Sequence, residues 1–125
     1  MFLDTTVIVE ILRGNEEVSA RVEEAAGEEP LMFSMVQIGE LADWCHINEL
    51  DPTKVLKEVK AMATVVGITE GICLEGSRIK RTQRKTGKTS FSLLDGMIAS
   101  SAMAFEQELL TSDGDFEGLE NTIVL

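Results

Sequence analysis

Met1-Phe2-Leu3-Asp4-Thr5-Thr6-Val7-Ile8-Val9 opens the chain. Three apolar residues suffice only for a short strand. The acid and two hydroxyls that follow, ahead of Val7, Ile8, Val9, Ile11 and Leu12, suit the start of an apolar-faced helix. A carboxylate at such a strand-to-helix junction has two common uses. As an N-cap, Asp4 accepts hydrogen bonds from the first free backbone N–H groups of the helix. As a ligand, it stands at the carboxyl end of a strand, where open α/β sheets gather their functional groups. Taken alone, the stretch favours the cap.

The same alternation continues outward from it. Thr5 to Arg13 has helical apolar spacing and stops at Gly14, suited to a left-handed cap, after which Asn15 caps a second helix, Glu16 to Ala26. That helix carries acids in its first turn and a narrow stripe of Val18, Val22 and Ala25, the pattern of a surface helix, and ends at Gly27. After Pro30, Leu31-Met32-Phe33 suits a buried strand and Ser34 a cap for Met35 to Trp44. Asp51-Pro52 then starts a helix through Val55, Leu56, Val59 and Met62.

The β-branched run Thr64 to Thr69 predicts a strand. A helix from Glu70 to about Thr86 follows, with Ile72, Leu74 and Ile79 as its apolar contributors, and Ser90 is placed to cap a last long helix, Phe91 to Phe105. Glu108 to Thr111 and Thr122 to Leu125 read as strands, with the turn Ser112 to Phe116 after the first of them. Strands alternating with helices predict an α/β domain, a central, mostly parallel sheet with helices on both faces.

Composition bounds the class. The 125 residues fit one domain, 1–125, able to bury about two thirds of its unfolded surface. At 44% apolar with two prolines, the chain belongs with compact globular proteins rather than disordered ones. No apolar run reaches membrane-spanning length, and Met1-Phe2-Leu3 meets Asp4 without a basic leader, so a cytoplasmic protein with an intact start is expected.

Cys45 and Cys73 lack metal or redox spacing and are expected to line the core. The sole histidine, His46, lies in Trp44-Cys45-His46-Ile47, which reads as a helix interior, and this leaves little for a Ser-His-Asp or Cys-His mechanism. A net charge of −11 excludes a protein that coats nucleic acid by neutralising phosphates. It does not exclude a nuclease, whose catalytic carboxylates take metal ions while a local basic strip holds phosphates.

Two helical carboxylates stand out. Glu40 shares its side with Val36 and Trp44, and Asp95 has Phe91, Ile98, Ala99 and Ala102 as its helical neighbours. Burying a carboxylate costs several kcal/mol unless it is hydrogen-bonded, paired or metal-bound. Asp4 and Asp113 sit at strand ends, and Asp113 taken alone is ordinary turn chemistry. If Asp4, Glu40, Asp95 and Asp113 converge, they cannot all ionise without a counter-charge, and an oxygen-only set selects Mg²⁺ or Mn²⁺ over zinc. Such a site suits phosphodiester hydrolysis.

One charge asymmetry accompanies it. Arg78, Lys80, Arg81, Arg84, Lys85 and Lys88 are six of the eleven basic residues, packed into eleven positions, and read either as a solvated face or as a phosphate-contacting strip. Thr86-Gly87-Lys88-Thr89 is not a phosphate-binding P-loop, because the earlier glycine that the motif needs is missing.

Four segments then carry a family resemblance: Leu3-Asp4-Thr5-Thr6-Val7-Ile8; Ser34 with Glu40-Leu41; Leu94-Asp95-Gly96-Met97-Ile98-Ala99; and Leu110-Thr111-Ser112-Asp113-Gly114-Asp115-Phe116. In this order they resemble the motifs of PIN-domain ribonucleases, and the chain's length is most similar to the VapC-type toxins of toxin–antitoxin pairs. The resemblance covers essentially the whole chain. It implies a PIN-like three-layer α/β/α sandwich, a Mg²⁺- or Mn²⁺-dependent endoribonuclease site, a homodimer and a cognate antitoxin.

It also implies Asp4, Glu40, Asp95 and Asp113 as the acidic quartet, with Asp115 as an additional acidic ligand. Thr6 stands where many members have Asn or Ser, and Gly96 where many have Ala. Neither departure removes a ligand, and the Thr6 and Thr111 hydroxyls remain available to orient Asp4 and Asp113. Arg78, Arg81, Arg84, Lys85 and Lys88 are expected to border the crevice and steer RNA.

Three alternatives remain. A haloacid-dehalogenase-type phosphatase also opens on an aspartate after a strand, but needs a second acid where Thr6 stands. The others are a housekeeping RNA-processing PIN nuclease and a non-catalytic PIN-like RNA- or protein-binding module.

Overall fold

The structure is a computed structural model that describes residues 1–125. Five short strands, β1 (Phe2–Leu3), β2 (Met32–Ser34), β3 (Thr64–Val66), β4 (Leu109–Thr111) and β5 (Thr122–Val124), form one sheet in the order β3-β2-β1-β4-β5. Every neighbouring pair is parallel, so the expected mostly parallel sheet is wholly so. Six helices connect them: α1 (Thr5–Leu12), α2 (Glu16–Ala26), α3 (Met35–Ile47), α4 (Pro52–Met62), α5 (Glu70–Lys85) and α6 (Leu93–Ala104).

Alternation along the strands divides the core in two. Leu3, Phe33 and Leu110 face one way and join Val7, Ile8, Val22, Leu41 and Val59 from α1 to α4. Phe2, Leu109 and Val66 face the other way and meet Ile79 of α5 with Ile98, Ala99 and Ala102 of α6. Strands covered on both faces must be apolar throughout, which is why these segments read as short unbroken apolar runs. The result is an α/β/α sandwich.

The local signals act as their chemistry requires. Asn15 Oδ1 accepts from the Val18 N–H at 3.2 Å, Ser34 Oγ from Val36 at 3.3 Å and Asp51 Oδ1 from Thr53 at 3.0 Å. Gly14 has φ +79°, a left-handed conformation that glycine, lacking a Cβ, adopts without steric penalty as α1 ends. Cys45 lines the core as expected, whereas Cys73 is only partly buried.

Four expectations need correction. β3 ends at Val66, well short of Thr69. The cap of α6 is Ser92, not Ser90, so the helix begins at Leu93. Leu74 is 68% exposed, because α5 turns Ile72, Gly76, Ile79 and Gln83 inward and leaves residue 74 on its outer side. His46 is exposed in the last turn of α3 rather than set in a packed interior.

The α5–α6 crossing is unusually close. A Cβ on Gly96 would lie 2.2 Å from the Gly76 carbonyl oxygen, and one on Gly76 would lie 2.9 Å from the Met97 nitrogen. Two glycines therefore let backbone meet backbone, and the departure to glycine at position 96 has its reason in the carbonyl of residue 76.

Candidate metal centre and its crevice

The chain leaves β1 through α1 to β2 on one side, yet the other neighbour of β1 is β4, which arrives more than a hundred residues later. That reversal opens a gap at the carboxyl ends of β1 and β4, the place where open α/β sheets bind ligands. Asp4 follows β1 there, its N–H held by the Leu110 carbonyl at 2.9 Å.

Asp4 is 3% exposed. Its side chain makes no capping bond to α1, so the cap favoured by the local sequence is not formed. Instead Oδ2 accepts from the Thr6 hydroxyl and the Thr111 hydroxyl, each at 2.7 Å. Both threonines also tie in the loop after β4: Thr111 Oγ1 accepts from the Asp113 N–H and Thr6 Oγ1 from the Ser112 N–H, each at 3.0 Å. Thr111 thus orients the Asp4 carboxylate and the Asp113 backbone, rather than the Asp113 carboxylate.

Glu40 projects from α3, where Thr5 Oγ1 donates to its Oε1 at 2.7 Å. Buried Gln37 supports that threonine: Nε2 donates to the Leu3 carbonyl at 2.8 Å and to Thr5 Oγ1 at 3.3 Å, while Oε1 accepts from the Ser34 N–H at 2.7 Å. Asp95 lies in the first turn of α6, not mid-helix. It forms a reciprocal capping box in which Oδ2 accepts from the Ser92 N–H at 2.8 Å and Ser92 Oγ from the Asp95 N–H at 3.1 Å. Asp113 Oδ1 accepts from the Asp115 N–H at 2.9 Å.

One pattern unites the four. Each carboxylate anchors one oxygen in a hydrogen bond supplied by its own surroundings, and the second oxygen takes no bond from the protein. All four line one crevice of about 470 Å³, with Thr5, Thr6, Val9, Glu10, Arg13, Trp44 and Ser112. This is within the usual range of small-ligand sites.

The electrostatics are those of crowded negative charge. Burial pushes the Asp4 carboxyl above its ordinary range, against the pull of the Thr111 and Thr6 hydroxyls, and the charge of Asp113 adds to the rise. Burial likewise raises Glu40, with Asp4 and Asp95 contributing, and raises Asp95, with Asp4 and Asp113 contributing.

No group of three or more His, Cys, Asp or Glu side chains is already gathered closely enough to hold an ion. The donor set nevertheless fits a hard divalent cation: only oxygens, several of them reluctant to ionise beside one another, each with a lone-pair atom to spare.

Asp115 is not among the lining residues; its N–H donates to Asp113 Oδ1. The basic residues also divide differently than expected. Lys80, Arg81, Arg84 and Lys85 line, with Ser77, a separate concavity of about 480 Å³ that shares no lining residue with the crevice. Arg78 is paired with Glu75. The end of α5 and the turn after it reach the acidic loop: Gln83 Nε2 donates to the Asp115 carbonyl at 2.9 Å, and Lys88 Nζ to the Gly114 carbonyl at 3.3 Å.

The cation that does line the crevice is Arg13, which charge clustering in the sequence passes over. Thr5 and Gln37 are equally hidden, whereas Ser92 is a hydroxyl the sequence already offers to a buried Asp95. The S-x-x-D spacing from Ser92 to Asp95 is a signal that could have exposed the capping box.

The model of the PIN domain family matches residues 1–121. Among solved structures, a toxin–antitoxin complex from Klebsiella pneumoniae has a chain that superimposes with a TM-score of 0.78 at 16% identity, covering 98% of this chain and 95% of that one. The VapBC2 complex of Rickettsia felis, bound to a DNA fragment from its promoter, gives 0.72 at 18% identity, covering 99% and 96%. No curated protein matches the sequence.

Proposed function

Because the chain belongs to the PIN domain family, we propose that it is a divalent-metal-dependent endoribonuclease, hydrolysing RNA phosphodiester bonds as the toxin of a toxin–antitoxin pair. The observation that carries this is the shared arrangement of Asp4, Glu40, Asp95 and Asp113: four carboxylates, each oriented through one oxygen, with the other left available at a topological switch point. These four would hold Mg²⁺ or Mn²⁺, with Thr6 and Thr111 keeping Asp4 in place and Asp115 steadying Asp113. When bound, the metal supplies charge neutralisation and Lewis acidity toward a phosphodiester.

The chain's own residues do the rest. Hydroxyls hold Asp4, the Ser92 box holds Asp95, and Gln37 with Thr5 holds Glu40, so these carboxylates are each anchored through one oxygen before substrate arrives. The basic concavity on α5 receives RNA phosphates away from the reacting bond.

The antitoxin is proposed from the partners named for the similar structures. Met35, Leu93 and Leu94, 49%, 44% and 40% exposed at the starts of α3 and α6, offer apolar surface to a partner chain or a second copy. A cytoplasmic site of action follows from an RNA substrate, and no helix is long and apolar enough to cross a membrane.

The test is cleavage of RNA by the purified chain with Mg²⁺, with Mn²⁺ and with chelator. Cleavage with either ion that stops with chelator and is lost in Asp95→Asn supports the proposal. Absence of cleavage under all conditions by a folded protein would overturn it.

A further inference from the structure

We infer that Arg13 is a phosphate clamp, gripping the RNA phosphate next to the one at the carboxylates; this rests on the crevice being an RNA site. Arg13 is the only cation among the eleven residues lining the crevice. It follows α1 and stands on the wall it shares with Val9, Glu10 and Trp44, while Asp4, Asp95 and Asp113 form the acidic part.

Its surroundings hold it in readiness without consuming its donors. One guanidinium N–H group, on Nη1, donates to Glu10 Oε1 at 3.3 Å, and the other oxygen of Glu10 accepts from Asn15 Nδ2 at 3.0 Å. A guanidinium carries five N–H donors, so four remain without a protein acceptor. The Arg13 Cζ lies 5.9 Å from the Trp44 ring centroid, which limits how the planar group swings. Its side chain is 55% exposed, and a surface pair of that kind is weak enough to yield to a stronger acceptor.

Phosphate is that acceptor. A planar fork meets two of its oxygens at once, which a carboxylate-lined wall cannot do. A strand of RNA brings more than one phosphate into a crevice of this size, and the acidic part repels every phosphate that is not engaged there. A single arginine at the rim therefore does what a general basic strip cannot: it sets the register of the strand relative to the carboxylates. The basic concavity of α5 shares no lining residue with the crevice and supplies attraction without that register.

The experiment measures binding and cleavage separately. Labelled single-stranded RNA is titrated into Asp95→Asn and into Asp95→Asn carrying Arg13→Ala, Arg13→Lys or Arg21→Ala, across a range of KCl with Mg²⁺ present. Arg21 is an exposed residue of α2 outside the crevice and controls for loss of a positive charge.

Arg13→Ala is expected to weaken binding about tenfold and to reduce the salt slope by about 0.7, the contribution of one single-strand phosphate contact. Arg13→Lys is expected to restore the slope but only part of the affinity, and Arg21→Ala to change neither. In the cleaving protein, Arg13→Ala is expected to raise KM more than it lowers kcat. If Arg13→Ala leaves affinity and slope where Arg21→Ala leaves them, the clamp is refuted. Should the wild type then still cleave RNA, the nuclease proposal survives; should it bind RNA through Arg13 yet never cleave, the clamp stands and the nuclease proposal falls.

Discussion

Gly96→Ala should destabilise the protein although alanine is the better helix former. The added Cβ would lie 2.2 Å from the Gly76 carbonyl oxygen and 3.0 Å from its carbon. A comfortable C···O approach is about 3.3 Å, so α5 and α6 must separate by about 1 Å. Both partners are backbone, and no side-chain rotamer can relieve the contact. Overpacking of this kind costs about 1–3 kcal/mol, and a backbone clash belongs at the upper end.

Alanine returns about 1 kcal/mol of helix propensity, leaving a net loss of about 2 kcal/mol. For a domain of this size that is a fall in Tm of roughly 6–12 °C. The separation would also loosen Ile79 against Ile98, Ala99 and Ala102, and displace Asp95, the adjoining residue. Gly76→Ala meets its nearest atoms at 2.9 and 3.0 Å and should lose less. Thermal and urea unfolding of both variants measure this. A Gly96→Ala protein melting at or above the wild type, or a larger loss in Gly76→Ala, would refute it.

Other outcomes follow from the crevice itself. The folded-state pKa values of Asp4, Glu40 and Asp95 are all raised, so the native state binds more protons than the unfolded chain. Stability from these groups is present below their ordinary values, near 3.8 to 4.5, and is lost as pH rises through the raised ones. Urea midpoints in chelator should therefore fall as pH rises above the ordinary value of 4.5, and less steeply in Glu40→Gln, which keeps an oxygen for the Thr5 hydroxyl; an equal slope in both proteins would count against it. Thr111→Val, which removes both the donor to Asp4 and the acceptor of the Asp113 N–H, should cost about 2 kcal/mol and 10–100-fold in cleavage, with Thr111→Ser recovering most of both. Arg81→Glu with Lys85→Glu should weaken RNA binding and flatten its salt dependence, and titration with unchanged affinity would remove α5 from the RNA path.

Much of this protein is written locally. Asn15, Ser34, Asp51-Pro52 and Gly14 mark helix ends through hydrogen bonds and backbone angles that span only a few residues, and the apolar runs around Phe2, Phe33 and Leu110 mark strands buried on both faces. Those interactions are short-ranged, so sequence alone determined the order of elements and the α/β class. Even there a competing signal misled: Ser90 and Ser92 both stand ahead of the helix, and the reciprocal capping box between Ser92 and Asp95 selects the second.

What the tertiary structure decided is everything that depends on distant neighbours. That β4 lies beside β1 brings Thr111 to Asp4 across 107 positions and turns a residue placed to cap a helix into one held by two hydroxyls. Desolvation, which raises three of the four carboxylates, exists only once those neighbours exclude water. The same geometry left Asp115 outside the lining of the crevice, gave Lys80, Arg81, Arg84 and Lys85 of α5 a concavity of their own, and made Arg13 the cation that lines the crevice with the acids. Charge clustering along a chain measures how many cations are close in sequence, whereas a bound strand responds to which one is close in space.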